Sequence, residues 1–98
     1  MKPDEQLIIA AVATALAIHD PQGLLKMGAP VDEYCSEIFT IAPLLKRDMT
    51  IFEVRAIAHQ QFIRWFGSRV AGKIERYQGI AEDITRAIRL PPKRRSKR

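Results

Sequence analysis

The sequence has a single cysteine and no long apolar segment, and each shortage excludes a class of protein. Cys35 has no second thiol to pair with, so an intrachain disulfide is excluded and a reducing, cytoplasmic setting is expected. The longest apolar run, Leu7 to Ile18, is shorter than the roughly 20 residues that cross a bilayer. The residues before it are net acidic, unlike the basic start of a signal peptide. We therefore interpret this run as a core helix and expect no membrane association.

Length and composition favour one small globular domain. Of the 98 residues, 47% are hydrophobic and 28% are charged, which is ordinary for a globular protein. A chain of this length buries only a little more than ~60% of its unfolded surface, so most large apolar side chains belong in the core. We expect a helical domain over residues 1–90 and a disordered basic tail over residues 91–98.

The positive charge is concentrated at the C-terminus. The formal net charge is +5, but residues 91–98 hold five of the sixteen basic residues and no acid, so the body is neutral. Within the body, residues 1–45 carry two bases and six acids, whereas residues 46–90 carry nine bases and five acids. The tail can neutralise phosphates, but it is short and lacks aromatic residues, so nucleic acid is the less favoured partner.

Apolar periodicity predicts four helices and no strand. A first helix, about 4–19, is apolar nearly all round and should be contacted on several sides. Further helices are predicted over about 31–46, 50–66 and 69–89, where apolar residues recur three and four positions apart. The fold that we predict is all-α: a single four-helix bundle-like domain with an ordered loop between the first two helices.

Proline and polar residues indicate how the first two helices are bounded. Residues 20–23, Asp-Pro-Gln-Gly, have the residue types that a type I turn prefers at its first, second and fourth positions. Pro43 lacks an N–H and should kink the second helix, with a last turn that reaches about Lys46.

The third helix has a signal at each end. Thr50 and Glu53 have the spacing of a capping box, and Gly67 should end the helix in a left-handed conformation. The fourth helix is then predicted to direct one apolar stripe into the core: Val70, Ile74, Tyr77, Ala81, Ile84 and Ile88.

Residues 20–38 resemble a known family. The likeness rests on two motifs, Asp20-Pro21-x-Gly23-Leu24 and Gly28-Ala29-Pro30-x-Asp32-Glu33-Tyr34-x-x-Glu37-Ile38. These motifs are similar to the YugE-like domain of unknown function, an uncharacterised bacterial family of small helical domains. Cys35 stands where that family usually has an acid. The resemblance implies a small all-helical fold and no established activity.

Four carboxylates in and after the predicted loop are candidate site residues: Asp20, Asp32, Glu33 and Glu37. Converging carboxylates can bind a divalent cation or act as general acid and base. Their spacing matches no closed ligand loop, and no pair of His or Cys ligands joins them in sequence. We therefore predict no metal, no cofactor and no catalytic residue, and prefer helix caps, turn bonds and solvated charges.

Arg55 and His59 fall on the apolar side of the third predicted helix, four residues apart. A guanidinium there is unfavourable unless a carboxylate accepts its hydrogen bonds. We predict a structural ion pair that ties this helix to the loop, with Asp20 in the cluster and Glu37 or Asp32 as the best acceptor. An arginine that reaches past the edge of the bundle into solvent is the alternative.

The leading functional interpretation is a non-enzymatic protein-interaction or regulatory module. Its contact face is predicted at the acidic loop 20–37, with Asp32, Glu33, Glu37 and Phe39 as partner-binding residues. Two alternatives stay open: binding of a nucleic-acid backbone through the basic tail, and metal-dependent hydrolysis on the carboxylates. A homodimer that covers Phe39 or Trp65 is also compatible with the pattern.

Overall fold

A computed structural model describes residues 3–30 and 33–89 of the chain. Within those ranges it has four α-helices and no β-strand, so the prediction of an all-α fold is confirmed. The predicted basic tail 91–98 and the candidate residue Asp32 lie outside the described residues. The helices are α1 Pro3–His19, α2 Cys35–Ile41, α3 Ile51–Ala71 and α4 Gln78–Ile88, with 3₁₀ turns at Ala42–Leu44 and Ile74–Tyr77.

Helix α1 is contacted on several sides, as its apolar sequence predicts, but not on all of them. It packs against α4 and also against α2 and the turn Ala42–Leu44. Val12 and Leu16 are fully buried in these seams, whereas Ala10, Ala17 and Ile18 are exposed. Burying a side chain the size of leucine stabilises the fold by roughly 1.5–3 kcal/mol, so the seams and not the exposed face hold α1 in place.

The segment between α1 and α2 is built from hydrogen-bonded turns. The Gly23 N–H donates to the Asp20 carbonyl at 2.8 Å, the bond expected of a β-turn, and the Ala29 N–H donates to the Leu24 carbonyl at 3.0 Å. Leu24 packs partly buried against the core. The turn predicted over residues 20–23 is therefore present.

Helix α2 is shorter than the sequence predicts. Its N-cap residue is Tyr34 and its last residue is Ile41, after which the chain forms the 3₁₀ turn. Pro43 ends the α-helix instead of kinking it, because it lacks an N–H and its ring clashes with the carbonyl four residues earlier. Leu45 is already extended, so the predicted last turn to Lys46 is wrong.

Helix α3 begins with the predicted capping box. Thr50 Oγ1 accepts the Glu53 N–H at 3.1 Å, and Glu53 Oε1 accepts the Thr50 N–H at 2.8 Å. Gly67 has a φ of 83° and interrupts the helical geometry. The backbone then becomes helical again as far as Ala71, and Gly72, where φ is 81°, is the C-cap. The prediction that the helix breaks at Gly67 with a positive φ is confirmed, and residues 68–71 form a further short helical piece beyond the kink.

Helix α4 starts nine residues later than the predicted position 69. Residue 69 belongs to α3, and the turn Ile74–Tyr77 precedes α4. Val70 is consequently 50% exposed, whereas Tyr77 and Ile84 are fully buried. Gly72, with a φ of 81°, breaks the segment 69–89, for which the apolar spacing predicts one continuous helix.

Aromatic rings join α2, α3 and the turn before α4. The Phe62 ring centroid lies 6.0 Å from that of Tyr34 and 5.2 Å from that of Tyr77, at tilted angles. All three side chains are buried. Each such ring pair contributes about 0.5–1.5 kcal/mol beyond area burial, so this cluster fixes the position of the two tyrosines.

Candidate functional site

Asp20 directs its carboxylate into the loop. Its backbone φ is 45°, a left-handed conformation that Asp tolerates better than most residues. Oδ1 accepts the Leu25 N–H at 3.0 Å and the Tyr34 hydroxyl at 2.7 Å, and Oδ2 accepts the Lys26 N–H at 2.9 Å. Burial raises the pKa of Asp20, but these three hydrogen bonds bring it below the ordinary 3.8. Asp20 thus acts as an anchor for residues 20–26.

Two buried tyrosines extend this network across the domain. The Tyr34 hydroxyl also accepts the Gln22 N–H at 3.0 Å, and Gln22 Nε2 donates to the Tyr77 hydroxyl at 3.0 Å. The Tyr77 hydroxyl in turn donates to the Ala71 carbonyl at 2.6 Å. Burial, with the hydrogen bond to Asp20, raises the pKa of Tyr34 to about 12. Both phenols therefore remain protonated donors at neutral pH.

Arg55 does not form the predicted ion pair with the loop. Its Nη1 donates to Gln78 Oε1 at 2.8 Å, and its guanidinium lies 5.2 Å from the centre of the Phe52 ring. No carboxylate among the described residues pairs with it, so the predicted pairing with Asp20 or Glu37 is wrong, while Asp32, the other predicted acceptor, lies outside those residues. The cause is orientation, because α3 turns this side toward α4.

His59 also bonds away from the loop. Its Nε2 lies 2.9 Å from the Gly72 carbonyl oxygen, to which a protonated Nε2 donates. The guanidinium that does contact the loop belongs to Arg76, whose Nη1 lies 3.3 Å from the Pro21 carbonyl and 3.0 Å from that of Val70. A Cβ at Gly72 would lie 2.7 Å from the Arg76 guanidinium carbon, which a flexible side chain can move away, so it is the φ of 81° that favours glycine at this position.

Glu37 is buried in the fold, which contradicts its prediction as a contact residue. Only 5% of the residue is exposed, and within the described ranges Oε1 has no hydrogen-bond partner. Burial raises the pKa of Glu37 above its ordinary 4.5, and repulsion from Glu33 adds to the rise. Its own backbone N–H acts in the opposite direction. Of the two predicted acidic contacts that the structure describes, Glu33 is exposed and Glu37 is not.

Comparison of this chain with family models, curated proteins and solved structures finds no match. The resemblance of residues 20–38 to the YugE-like domain therefore stays a prediction. Any function has to follow from the surface and the interior of this chain.

Phe39 is exposed beside an apolar cleft. The side chain is 55% exposed and lies on α2, where the helix faces α1. The cleft has a volume of about 450 Å³. Its walls come from α1, α2 and the residues around Pro43: Glu5, Ile8, Ile9, Ala42, Pro43 and Leu45. The position of Phe39 outside the core agrees with its prediction as a surface residue.

The other candidate aromatic residues are already engaged. Tyr34 is buried in the core. Trp65 is half exposed, but its Nε1–H donates to Thr40 Oγ1 at 3.0 Å, and the Thr40 hydroxyl donates to the Glu37 carbonyl at 3.0 Å. Trp65 therefore closes the seam between α2 and α3, and Phe39 is left as the exposed aromatic residue of α2.

Two hydrogen-bonded ion pairs that link α1 to distant parts of the chain were not predicted from the sequence. His19 Nε2 lies 2.7 Å from Asp83 Oδ2 and joins α1 to α4, and the hydrogen bonds from His19 and Arg86 lower the pKa of Asp83. Arg47 donates to the Ile88 carbonyl and to Asp4 at the start of α1. No local signal reports such pairs, because the partners are more than forty residues apart.

Neither a cluster of metal-ligand side chains nor a membrane-spanning helix occurs in the described ranges. No group of three or more His, Cys, Asp or Glu side chains there is arranged to hold a metal ion. Asp20 and Glu37 point into the loop and into the helix seam respectively, so they do not converge. Over the same residues, no helix combines the length and the apolar character that a membrane span requires.

Proposed function

We propose that this chain is a non-enzymatic protein-interaction module whose contact face is centred on Phe39 of α2. The observation that carries the proposal is the exposure of this ring beside an apolar cleft. A single exposed apolar residue is common on protein surfaces. A ring next to a cleft is different, because one apolar side chain of a partner can enter the cleft and cover the ring together, as interface anchors do.

The shape of the cleft follows from Pro43. Because α2 ends at Ile41 and the turn Ala42–Leu44 leads the chain away, α2 is too short to cover the N-terminal half of α1. Ile9 stays partly exposed there, and Leu44 is also exposed on the turn. The face is thus apolar at its centre, with Glu5 at its edge. This combination of an apolar centre and a polar rim is typical of protein interfaces.

In this proposal the four helices form a bundle-like scaffold, and the ordered loop 20–30 braces the start of α2. The hydrogen bond that the Tyr34 hydroxyl, at the N-cap of α2, donates to Asp20 supports such a brace. A brace fixes the orientation of Phe39 before a partner arrives, which lowers the entropy lost on binding. Glu33, exposed just before α2, is retained as a polar contact, whereas the buried Glu37 is not.

The nucleic-acid alternative receives less support from the described surface. Lys46, Arg47 and Arg89 do line one cleft near the end of α4, but Asp4 and Asp48 line it as well. Arg47 is already engaged by Asp4. A phosphate backbone would therefore meet mixed charge at that place, and affinity for it would have to come from residues 91–98.

The test is photo-crosslinking with a benzophenone amino acid in place of Phe39, and with the same substitution at Phe52 as the matched control. Phe52 is an exposed phenylalanine on α3, away from the cleft. We expect a discrete crosslinked protein from position 39 that unlabelled wild-type chain competes away, and no such product from position 52.

Equal products from the two positions, or a product that Ile9→Asp leaves unchanged, would contradict the proposed face. Ile9 is the control for the cleft because it lines the cleft without belonging to α2. Retention on heparin that disappears when residues 91–98 are removed would favour the nucleic-acid alternative.

A further inference from the structure

Glu37 is a buried residue on the side of α2 that faces α3: Tyr34, three residues before it, contacts Phe62, and Thr40, three residues after it, accepts a hydrogen bond from Trp65. The residue is 5% exposed, and no described donor reaches its Oε1. The Glu37 backbone N–H favours the ionised form, but burial outweighs it. Removing an ionised carboxylate from water with so little compensation is far more unfavourable than burying the protonated acid. The docked position of α2 therefore suits the protonated form of Glu37 better than the ionised form.

The charged groups of the neighbouring elements do not compensate for ionisation. On the turn before α2, Glu33 repels a negative charge at Glu37. On α3, Arg55 is bonded to Gln78 and His59 to the Gly72 carbonyl, while Arg64 is exposed and makes no ion pair with Glu37.

The same holds for α1 and for the turn that follows α2. His19 is paired with Asp83, and Asp4 with Arg47. Glu5 borders the Phe39 cleft, and residues two apart on a helix, such as Glu37 and Phe39, face nearly opposite ways. The turn Ala42–Leu44 has no charged residue. The groups around Glu37 thus offer one repulsive charge and no ion-pair partner.

We propose that Glu37 is a proton-linked latch: in its protonated form it holds α2 against α3, and its ionisation loosens α2 from the domain. This is a property of the fold and does not depend on Phe39 being a contact face. Where Phe39 does bind a partner, the latch would set how firmly that residue is held.

The size of α2 makes such a response local. A helix of seven residues does not persist by itself in water, so α2 depends on packing for its stability. Elements held by few contacts open at a lower free energy than the whole domain unfolds. A penalty at Glu37 is therefore expected to open α2 first, without unfolding α1, α3 and α4.

The direction with pH follows from linkage. The pKa of Glu37 is raised in the docked state, so docked α2 retains a proton that an opened α2 loses. Docking is strongest below the ordinary pKa of 4.5 and weakens as pH rises toward the raised value. Within that window the opening equilibrium grows up to about tenfold per pH unit, and above it the equilibrium levels off.

Trp65 provides a direct reporter. It is the one tryptophan of the chain, and its indole donates to Thr40 on α2. We would follow Trp65 fluorescence against pH, together with hydrogen-exchange protection factors of the α2 amides, corrected for intrinsic exchange. The wild type should lose α2 protection above pH 4.5 by up to about tenfold per unit, while the core amides of α3 keep theirs.

Two variants distinguish the ionisation of Glu37 from other pH-dependent changes in the protein. Glu37→Gln removes the ionisation and should make both profiles flat. Glu33→Gln keeps the ionisation but removes the repulsion, so its transition should remain and move to lower pH. A flat wild-type profile, or an unchanged transition in Glu37→Gln, would overturn the proposal.

A measurement on the wild type covers the case in which Glu37→Gln does not fold. The ¹³C shift of the Glu37 carboxyl carbon reports its protonation directly. The proposal requires that this shift titrates above 4.5 and together with α2 protection. Titration at the ordinary value, or titration without a change in α2, would overturn it.

Discussion

Asp20 and Glu37 belong to the same acidic stretch of the sequence, but the fold surrounds them in opposite ways. Asp20 accepts three hydrogen bonds, two of them from loop N–H groups, and its pKa is lowered. Glu37 Oε1 receives none within the described ranges, and burial raises the pKa of the residue. Whether a carboxylate stabilises the domain thus depends on the donors within reach and not on its place in the chain.

The difference has a local origin. Leu25 and Lys26 lie in a loop, where their N–H groups are not used by a helix and are free to bond Asp20. Glu37 extends into a seam between two helices, and no side-chain donor of α3 reaches its Oε1. The predicted donor, Arg55, faces α4 instead. Asp20 therefore anchors the loop residues 20–26, whereas ionised Glu37 opposes the packing of α2 on α3 at high pH.

The largest expected effect is on the Asp20 side. Asp20→Ala removes three hydrogen bonds, each with a net value of roughly 1 kcal/mol, and should lower the unfolding free energy by about 3 kcal/mol in urea denaturation at neutral pH. Asp20→Asn keeps one acceptor oxygen and should lose less. A loss below about 1 kcal/mol for the alanine variant would mean that the loop does not depend on this anchor.

The Asp20→Asn variant also tests how the contribution of Asp20 to stability changes as pH falls. Because the folded pKa of Asp20 is lowered, its contribution is present above the ordinary 3.8 and is lost as pH falls through the lower folded value. Asp20→Asn should therefore flatten the acid limb of a stability profile. The Glu37 contribution has the opposite sign, because acid relieves its penalty.

A smaller effect, with the opposite sign, is expected at Glu37. Glu37→Met removes a buried polar atom without a partner and should raise the unfolding free energy by roughly 1–3 kcal/mol at neutral pH. The gain should shrink at acid pH, where the wild-type carboxyl is protonated. Glu33→Met is the matched control, since an exposed site should change stability by no more than about 0.5 kcal/mol. A destabilised Glu37→Met would show that the carboxyl makes a favourable contact.

Tyr34→Phe tests whether the Asp20 anchor works as a unit. The variant removes the hydroxyl that donates to Asp20 and leaves the Gln22 N–H without its acceptor, so we expect a loss of about 1 kcal/mol. In the Asp20→Ala background the same change should have a smaller effect, because half of the interaction is already absent. A double-mutant cycle in urea measures this coupling, and strict additivity would contradict it.

The smallest effect is expected at Arg55. Because its partner is the Gln78 side chain, Arg55→Met should lower the melting temperature only slightly, by the equivalent of about 1 kcal/mol or less. Gln78→Met removes the same bond together with the exposed bond from Gln78 to Glu82, so its loss should be at least as large. A much larger loss for Arg55→Met, together with a normal Gln78→Met, would reveal a carboxylate partner of the kind that the sequence predicts.

Much of the fold was predictable because the relevant signals are local. The capping box at Thr50 and Glu53 needs only residues three apart, and the left-handed Gly67 follows from the absence of a Cβ. The buried stripe of α4 likewise repeats at helical spacing. The extent of α2 and the start of α4 were not predictable, because Pro43 and Gly72 each allow a continued or a broken helix. The surrounding packing selects between them.

The candidate site was predicted only in part. Phe39 is on the surface, as its position off the core stripe predicts, and Glu33 is exposed. Glu37 lies at the start of α2. The rotation of α2 about its own axis decides whether the Glu37 side chain faces solvent or the contact with α3. A change of one residue in the helix start turns such a side chain by about 100°, and sequence periodicity does not resolve that angle in a helix of two turns.

By itself, the sequence determined an all-α chain, the turn at residues 20–23, the capping box of α3 and the buried stripe of α4. The tertiary structure decided which donor meets which acceptor: Tyr34 with Asp20, Gln78 with Arg55, and no described side chain with Glu37 Oε1. The physical reason is range. Backbone preferences act over three or four residues, whereas the partner of a buried polar group depends on how helices distant in sequence cross and on which side each one presents.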